Sequence, residues 1–84
     1  MKSPYVGQVT HYFSKISVVV IKIEKSNLMV GDKINIKGQV TDLIQVVKSL
    51  QIESVDVKSA KVGQLVGLKV LKSAQVGDKV YKLS

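Results

Sequence analysis

The chain contains no cysteine, no arginine and no tryptophan, and only one histidine and one proline in 84 residues. Without cysteine there is no disulfide to hold a small core and no thiolate to serve as nucleophile or metal ligand. That suits a reducing compartment, so a cytoplasmic location is expected. With His11 as the only histidine, the spaced His/Cys sets of zinc sites and the usual nucleophile–base pairs cannot be written. The six acids, Glu24, Asp32, Asp42, Glu53, Asp56 and Asp78, are scattered. Asp32 and Asp78 are already occupied by turns, which leaves no paired carboxylates for acid–base work. No glycine is followed by lysine, so a phosphate-cradling loop for a nucleoside triphosphate is excluded. No catalytic residue, metal or cofactor is expected. Met1-Lys2-Ser3-Pro4 runs directly into strand-like sequence with no apolar leader. The longest aliphatic run, Val18 to Ile21, is far too short for a bilayer, so neither secretion nor a membrane is expected.

What the chain does have is positive charge and periodicity. The formal net charge is +7, and all thirteen basic residues are lysine. A surplus of that size on a small domain attracts polyanions and raises encounter rates. Lysine is a hydrated point charge, whereas bidentate reading of guanine or phosphate is done by arginine. Any nucleic-acid contact is therefore expected to be backbone-directed, and the competing reading is that the lysines only solubilise the surface. At 45% hydrophobic the chain is globular, and its length gives one domain, residues 1–84, burying roughly 60–65% of its unfolded surface.

The organising phrase is Val30-Gly31-Asp32-Lys33-Ile34-Asn35-Ile36, a Gly-Asp turn feeding an alternating strand. Glycine supplies positive φ, aspartate bonds its own backbone, and period-two alternation suits a strand with one buried face. The phrase returns as Val76-Gly77-Asp78-Lys79-Val80 and, more weakly, as Val62-Gly63-Gln64-Leu65. Three turn-then-strand units predict an all-β fold, a small closed antiparallel β-barrel of six or seven strands. The first strand is placed at Tyr5 to Phe13 and the second at Ile16 to Lys25, where Val19-Val20-Ile21 suggests burial on both faces. The third runs from the Gly31-Asp32 turn to Gly38. A long fourth strand, Val40 to Ile52, slips around Leu43-Ile44 and Val46-Val47, as a bulge or barrel corner would require. Helix is the competing assignment there, since Leu43, Val46, Val47 and Leu50 fit helical spacing. Val55-Asp56-Val57 reads as a brief edge strand and Ser59-Ala60-Lys61 as a single turn. Val66, Leu68 and Val70 share one face of the next strand, in which Gly67 marks a bulge or a close backbone approach. A last strand covers Lys79 to Leu83.

Binding chemistry is sparse but present. Tyr12-Phe13-Ser14-Lys15 sets two aromatics beside a basic turn, offering a base a stacking surface and its phosphate a cation. In a regular strand one of the two rings faces inward and the other outward.

Taken together, the residues resemble the second domain of translational GTPases, the β-barrel of elongation factor Tu and elongation factor one-alpha. Val30-Gly31-Asp32-Lys33-Ile34 matches that family's V-G-D-x-[VI] turn. Val47-Lys48-Ser49-Leu50-Gln51-Ile52 is similar to its V-K-S-V-E-M strand. Val62-Gly63-Gln64-Leu65-Val66-Gly67 is similar to P-G-D-N-V-G, and Val76-Gly77-Asp78-Lys79-Val80 to the closing R-G-x-V. The resemblance implies a translation-protein barrel whose partner is RNA, either a tRNA acceptor end or ribosomal RNA. It implies contacts from Tyr12, Lys15, Gln51 and Lys69, with Lys48 in support. It carries no GTP hydrolysis, because the GTPase domain is absent. The chain is also similar to the barrel at the C-terminus of the U32 family of collagenase-like peptidases. That likeness implies the alternative, an accessory module docking on a U32-like peptidase or a GTPase.

Overall fold

Alternation of aliphatic and polar residues dictates nearly every element. In the computed structural model, which describes residues 4–83, ten strands follow one another. They are β1 (Tyr5–Phe13), β2 (Val18–Ile23), β3 (Leu28–Met29), β4 (Lys33–Lys37), β5 (Asp42–Val46), β6 (Leu50–Ile52), β7 (Val55–Val57), β8 (Ser59–Ala60), β9 (Leu65–Lys69) and β10 (Lys79–Lys82). The leader reading at Met1 to Ser3 lies outside the described residues. Eight strands form one antiparallel sheet in the order β5-β4-β10-β1-β2-β9-β6-β7, and β3 pairs with β8. Inward-facing Val6, Val9, Val19, Ile21, Ile34, Ile36, Val66 and Val80 are fully buried, and Leu28 and Ala60 of the small sheet join them. All belong to one cluster, so the large sheet curls over a single core.

The hydrogen-bonded ladder of the described residues does not trace the expected closed ring of six or seven strands. The described ladder has two ends, β5 and β7. Beside β5 the gap to the end of β9 is spanned by one buried side chain. Gln45 Nε2 donates to the Lys69 carbonyl (2.9 Å), and Gln45 Oε1 accepts from the Leu71 N–H (2.9 Å). The amide thus makes the two bonds a neighbouring backbone would have made.

Gln45 also explains the misplaced slip in the long fourth segment. Thr41, Leu43, Gln45 and Val47 all point inward, while Ile44 and Val46 are exposed, so alternation is unbroken up to Lys48. The interruption falls at Lys48-Ser49, between β5 and β6, not at the aliphatic pairs, and no helix forms. Val47 marks the corner: its N–H donates to the Asp32 carbonyl and its carbonyl accepts from Gly31, both at 2.8 Å. Ser59–Ala60 pairs with β3 as a strand, where the sequence reading has a turn.

The three glycine turns share one geometry. In Met29–Asp32, Lys61–Gln64 and Gln75–Asp78 the fourth N–H donates to the first carbonyl, at 3.1 Å each time. The fourth side chain accepts from the first N–H at 2.8 Å, through Asp32, Gln64 or Asp78. Gly31, Gly63 and Gly77 occupy the third position at φ +100, +96 and +95°, where a β-carbon would be strained.

Candidate functional site

The outer face of β2, β9 and β6 is where side chains leave a hollow. Strand register aligns His11, Val20, Gly67, Gln51 and Asp56 in one row across β1, β2, β9, β6 and β7. The adjacent row carries Phe13, Val18 and Lys69. Gly67 contributes no side chain, so the floor at the centre is bare backbone. The result is an open furrow of about 480 Å³. Its apolar lining includes Phe13, Ile16, Val18, Val20 and Leu65, with Gln51, Glu53 and Ser54 along one side. It continues along β9 past Gln51 to Ser49 and Lys69, and then to Lys48.

A chain bulge orients the aromatic wall. The β1–β2 register shifts between Val9 and His11, and Thr10 is the extra residue, its hydroxyl donating to the Val20 carbonyl (3.2 Å). Everything after it changes face. Phe13 is therefore exposed and stacks on His11, with ring centres 6.2 Å apart. Tyr12 turns inward and packs on the core. Val20, expected to be enclosed, faces outward beside Val18 and forms the furrow's wall.

Backbone strain collects at the same place. The non-glycine residues with positive φ among those described are Ser17, Glu53 and Ser54, at 55, 51 and 65°. Glu53-Ser54 is the two-residue turn of the β6–β7 hairpin, a conformation that favours Asn-Gly. Ser17 ends the β1–β2 loop, next to Ile16 and Val18.

Of the five residues assigned to RNA contact, Lys48, Gln51 and Lys69 lie along this furrow. Lys15 is exposed in the preceding loop, outside the lining. Tyr12 is directed at the core, so it is not available to stack on a base. Among the described residues the one ion pair is Lys82 with Asp32 (3.4 Å), leaving Lys48 and Lys69 unpaired. Gln51 Nε2 donates to Asp56 Oδ1 (2.9 Å). Ile16 and Leu65 were not singled out from the sequence, and Phe13 only as one of the two neighbouring rings beside the basic turn. The signal for this face was Val18-Val19-Val20-Ile21, whose two-sided apolar character reflects one face in the core and one lining the furrow. No three His, Cys, Asp or Glu side chains gather into a metal-holding group among the described residues.

No family model matches the chain. It is 40% identical over 79 residues to an uncharacterized protease of Methanocaldococcus jannaschii, covering 93% of this chain and 19% of that protein. It is 35% identical over 79 residues to a collagenase of Porphyromonas gingivalis, covering 93% of this chain and 22% of that protein. The chain thus spans about a fifth of the length of these relatives. Among solved structures it superposes on the C-terminal domain of a Geobacillus thermoleovorans protein assigned to the U32 peptidases. The TM-score is 0.88 at 18% identity, covering 100% of this chain and 99% of that one. A selenomethionine variant of the same domain gives 0.87, covering 93% and 98%. These likenesses overturn the translation-factor reading and the RNA-binding function drawn from it. The elongation-factor motifs were turn and strand chemistry that many small β-folds need. The fold is that of a U32 peptidase C-terminal domain, and the sequence is similar to one segment of larger proteins named as a protease and a collagenase.

Proposed function

We propose that this chain is a non-catalytic accessory domain serving a U32-type peptidase, supplying a binding surface while the bond-breaking groups reside elsewhere. The observation that carries the reading is the shape of the match: 93% of this chain against 19% of the archaeal protease. A match confined to one-fifth of a protease, on a fold solved by itself as a C-terminal domain, supports an appended unit. The residue inventory supports the same division. One exposed histidine, no cysteine and scattered carboxylates give peptide hydrolysis neither an activated nucleophile nor a metal-bound water.

The test is a graft. In the P. gingivalis collagenase the matched 79-residue segment is deleted, or replaced by this chain, and collagen cleavage is measured. The deletion is expected to lose most activity and the graft to retain it within about tenfold, a margin of roughly 1.4 kcal/mol. This chain alone is expected to cleave nothing. A folded graft that behaves like the deletion, or cleavage by the isolated chain, overturns the reading.

A further inference from the structure

We propose that the furrow over Gly67 docks an extended polypeptide segment carrying a bulky apolar side chain and, two residues away, a carboxylate. The proposal rests on the accessory-domain reading only in taking polypeptide as the occupant.

Gly67 is the first reason. Its φ is not in the left-handed region, and a β-carbon there would meet Val18 Cγ1 at 3.6 Å and Gln51 O at 3.7 Å, ordinary contacts. Neither backbone nor space therefore demands glycine, although glycine weakens a strand. What its missing side chain leaves is an open floor between Val20 and Gln51. The second reason is exposure: Phe13, Ile16 and Leu65 are 48, 59 and 54% exposed around that floor, a cluster that gains by being covered. Strain is the third, since Ser17 and Glu53-Ser54, one beside each long wall, hold conformations costly for their residue types.

Charge decides the occupant. Lys69 stands two residues beyond Gly67 on the same face of β9, and Lys48 lies further along the furrow. Both ammonium groups are unpaired among the described residues. Side chains on one face of an extended strand recur every two residues, roughly 6.6–7 Å. A peptide lying along β9 with an apolar side chain over Gly67 therefore brings its residue two positions away to Lys69. A carboxylate there completes the pair.

The probes are two acetylated, amidated hexapeptides, Ser-Gly-Phe-Ser-Glu-Gly and the reverse order Gly-Glu-Ser-Phe-Gly-Ser, each with a Glu-to-Gln control. They are titrated into the isotope-labelled chain while amide shifts are followed. One order is expected to move the amides of Val18, Gln51, Gly67 and Lys69 saturably. Gly67→Val should weaken it about tenfold by filling the floor. Lys69→Gln should weaken the Glu peptide about threefold and leave its Gln control unchanged. Gly67→Ala, which fits without a clash, gives a smaller loss and guards against misfolding as the explanation. No saturable shift at these amides, equal binding by Gly67→Val and Gly67→Ala, or a CCA-ended RNA dodecamer shifting the same amides more strongly, each overturns the proposal. Failure here with an active collagenase graft removes the furrow and leaves the accessory domain standing. An inactive graft with intact peptide binding does the reverse.

Discussion

The outer surface of the large sheet has two halves that meet at the β1–β2 hairpin and differ in how their side chains are satisfied. Over β4, β10 and β1 several polar side chains bond to one another or to nearby backbone. Asn35 Nδ2 donates to Asp42 Oδ1 and the Leu43 carbonyl, at 2.9 and 3.2 Å. The Tyr5 hydroxyl donates to Glu24 (2.5 Å), and its ring meets Tyr81 at 5.8 Å between centres. Lys79 Nζ lies 5.9 Å from the Tyr5 ring centre and donates to Gln8 Oε1 (3.0 Å). Over β2, β9 and β6 the order is reversed. Phe13, Ile16 and Leu65 are open to water, and Ser17, Glu53 and Ser54 hold costly backbone angles. The first half contributes to folding, while the second has interactions left over for something else. Departures from local consistency of this kind recur at functional or strained sites.

The largest expected effect comes from the seam where the sheet's β5 end meets the end of β9 beside the furrow. Gln45→Leu removes both bonds of the clasp and leaves the Lys69 carbonyl and Leu71 N–H without their partner. Two partly buried backbone groups losing partners cost about 3 kcal/mol together, to be read as a lowered urea midpoint at unchanged slope. A loss below about 1 kcal/mol would mean that water or a shift of β5 takes over the clasp. The two halves would then not depend on it.

The same residue shows what could and could not be read in advance. The first strand, the edge strand Val55–Val57, the last strand and the three glycine turns follow local rules, since each needs only its own neighbours to specify it. Gln45 breaks the inward apolar pattern because its partners are 24 and 26 residues away, and no local period carries that information. The seam Gln45 makes between β5 and the end of β9 was unreadable for the same reason. Thr10 was equally silent: an inserted residue is visible only against the partner strand, yet it decides that Phe13, not Tyr12, faces outward. Gly67 was expected to mark a bulge or a close backbone approach, and it marks neither: the β2–β9 register runs unbroken through it and a β-carbon would make only ordinary contacts. That its absence of side chain forms a furrow floor required knowing that Val20 and Gln51 flank it.

Tyr5 tests the satisfied half. Burial first, then the hydrogen bond to Glu24 and its negative charge, push the phenol up from 10.0 to about 12. A raised folded value contributes stability that is complete below pH 10 and is lost as pH climbs through about 12, since the unfolded chain ionises first. The wild type should therefore lose about 2 kcal/mol more than Tyr5→Phe across that window, somewhat less after solvent screening. Urea midpoints of the two proteins from pH 9 to 12 check it. Parallel curves would show that the Tyr5–Glu24 contact does not hold the proton.

In the unsatisfied half the expected sign is opposite. Replacing the β6–β7 turn by Asn-Gly, with Glu53→Asn and Ser54→Gly, relieves two positive-φ residues and should raise stability by about 1 kcal/mol. Thermal melts will read it as an upward shift, and a lowered midpoint would show that Glu53 or Ser54 makes a contact that outweighs its strain.

Gly67→Ala is the smallest change and separates the halves most directly. The substitution restricts the unfolded chain and adds a methyl in ordinary contact with Val18 and Gln51, so stability should rise by about 0.5 kcal/mol. The same methyl stands on the furrow floor, so peptide binding should fall while the melt improves. A site shaped only by folding would move both in one direction or leave binding untouched. Opposed movement is what a surface kept open at the expense of strand stability produces, and the paired melt and titration on one sample measure it without reference to any other residue.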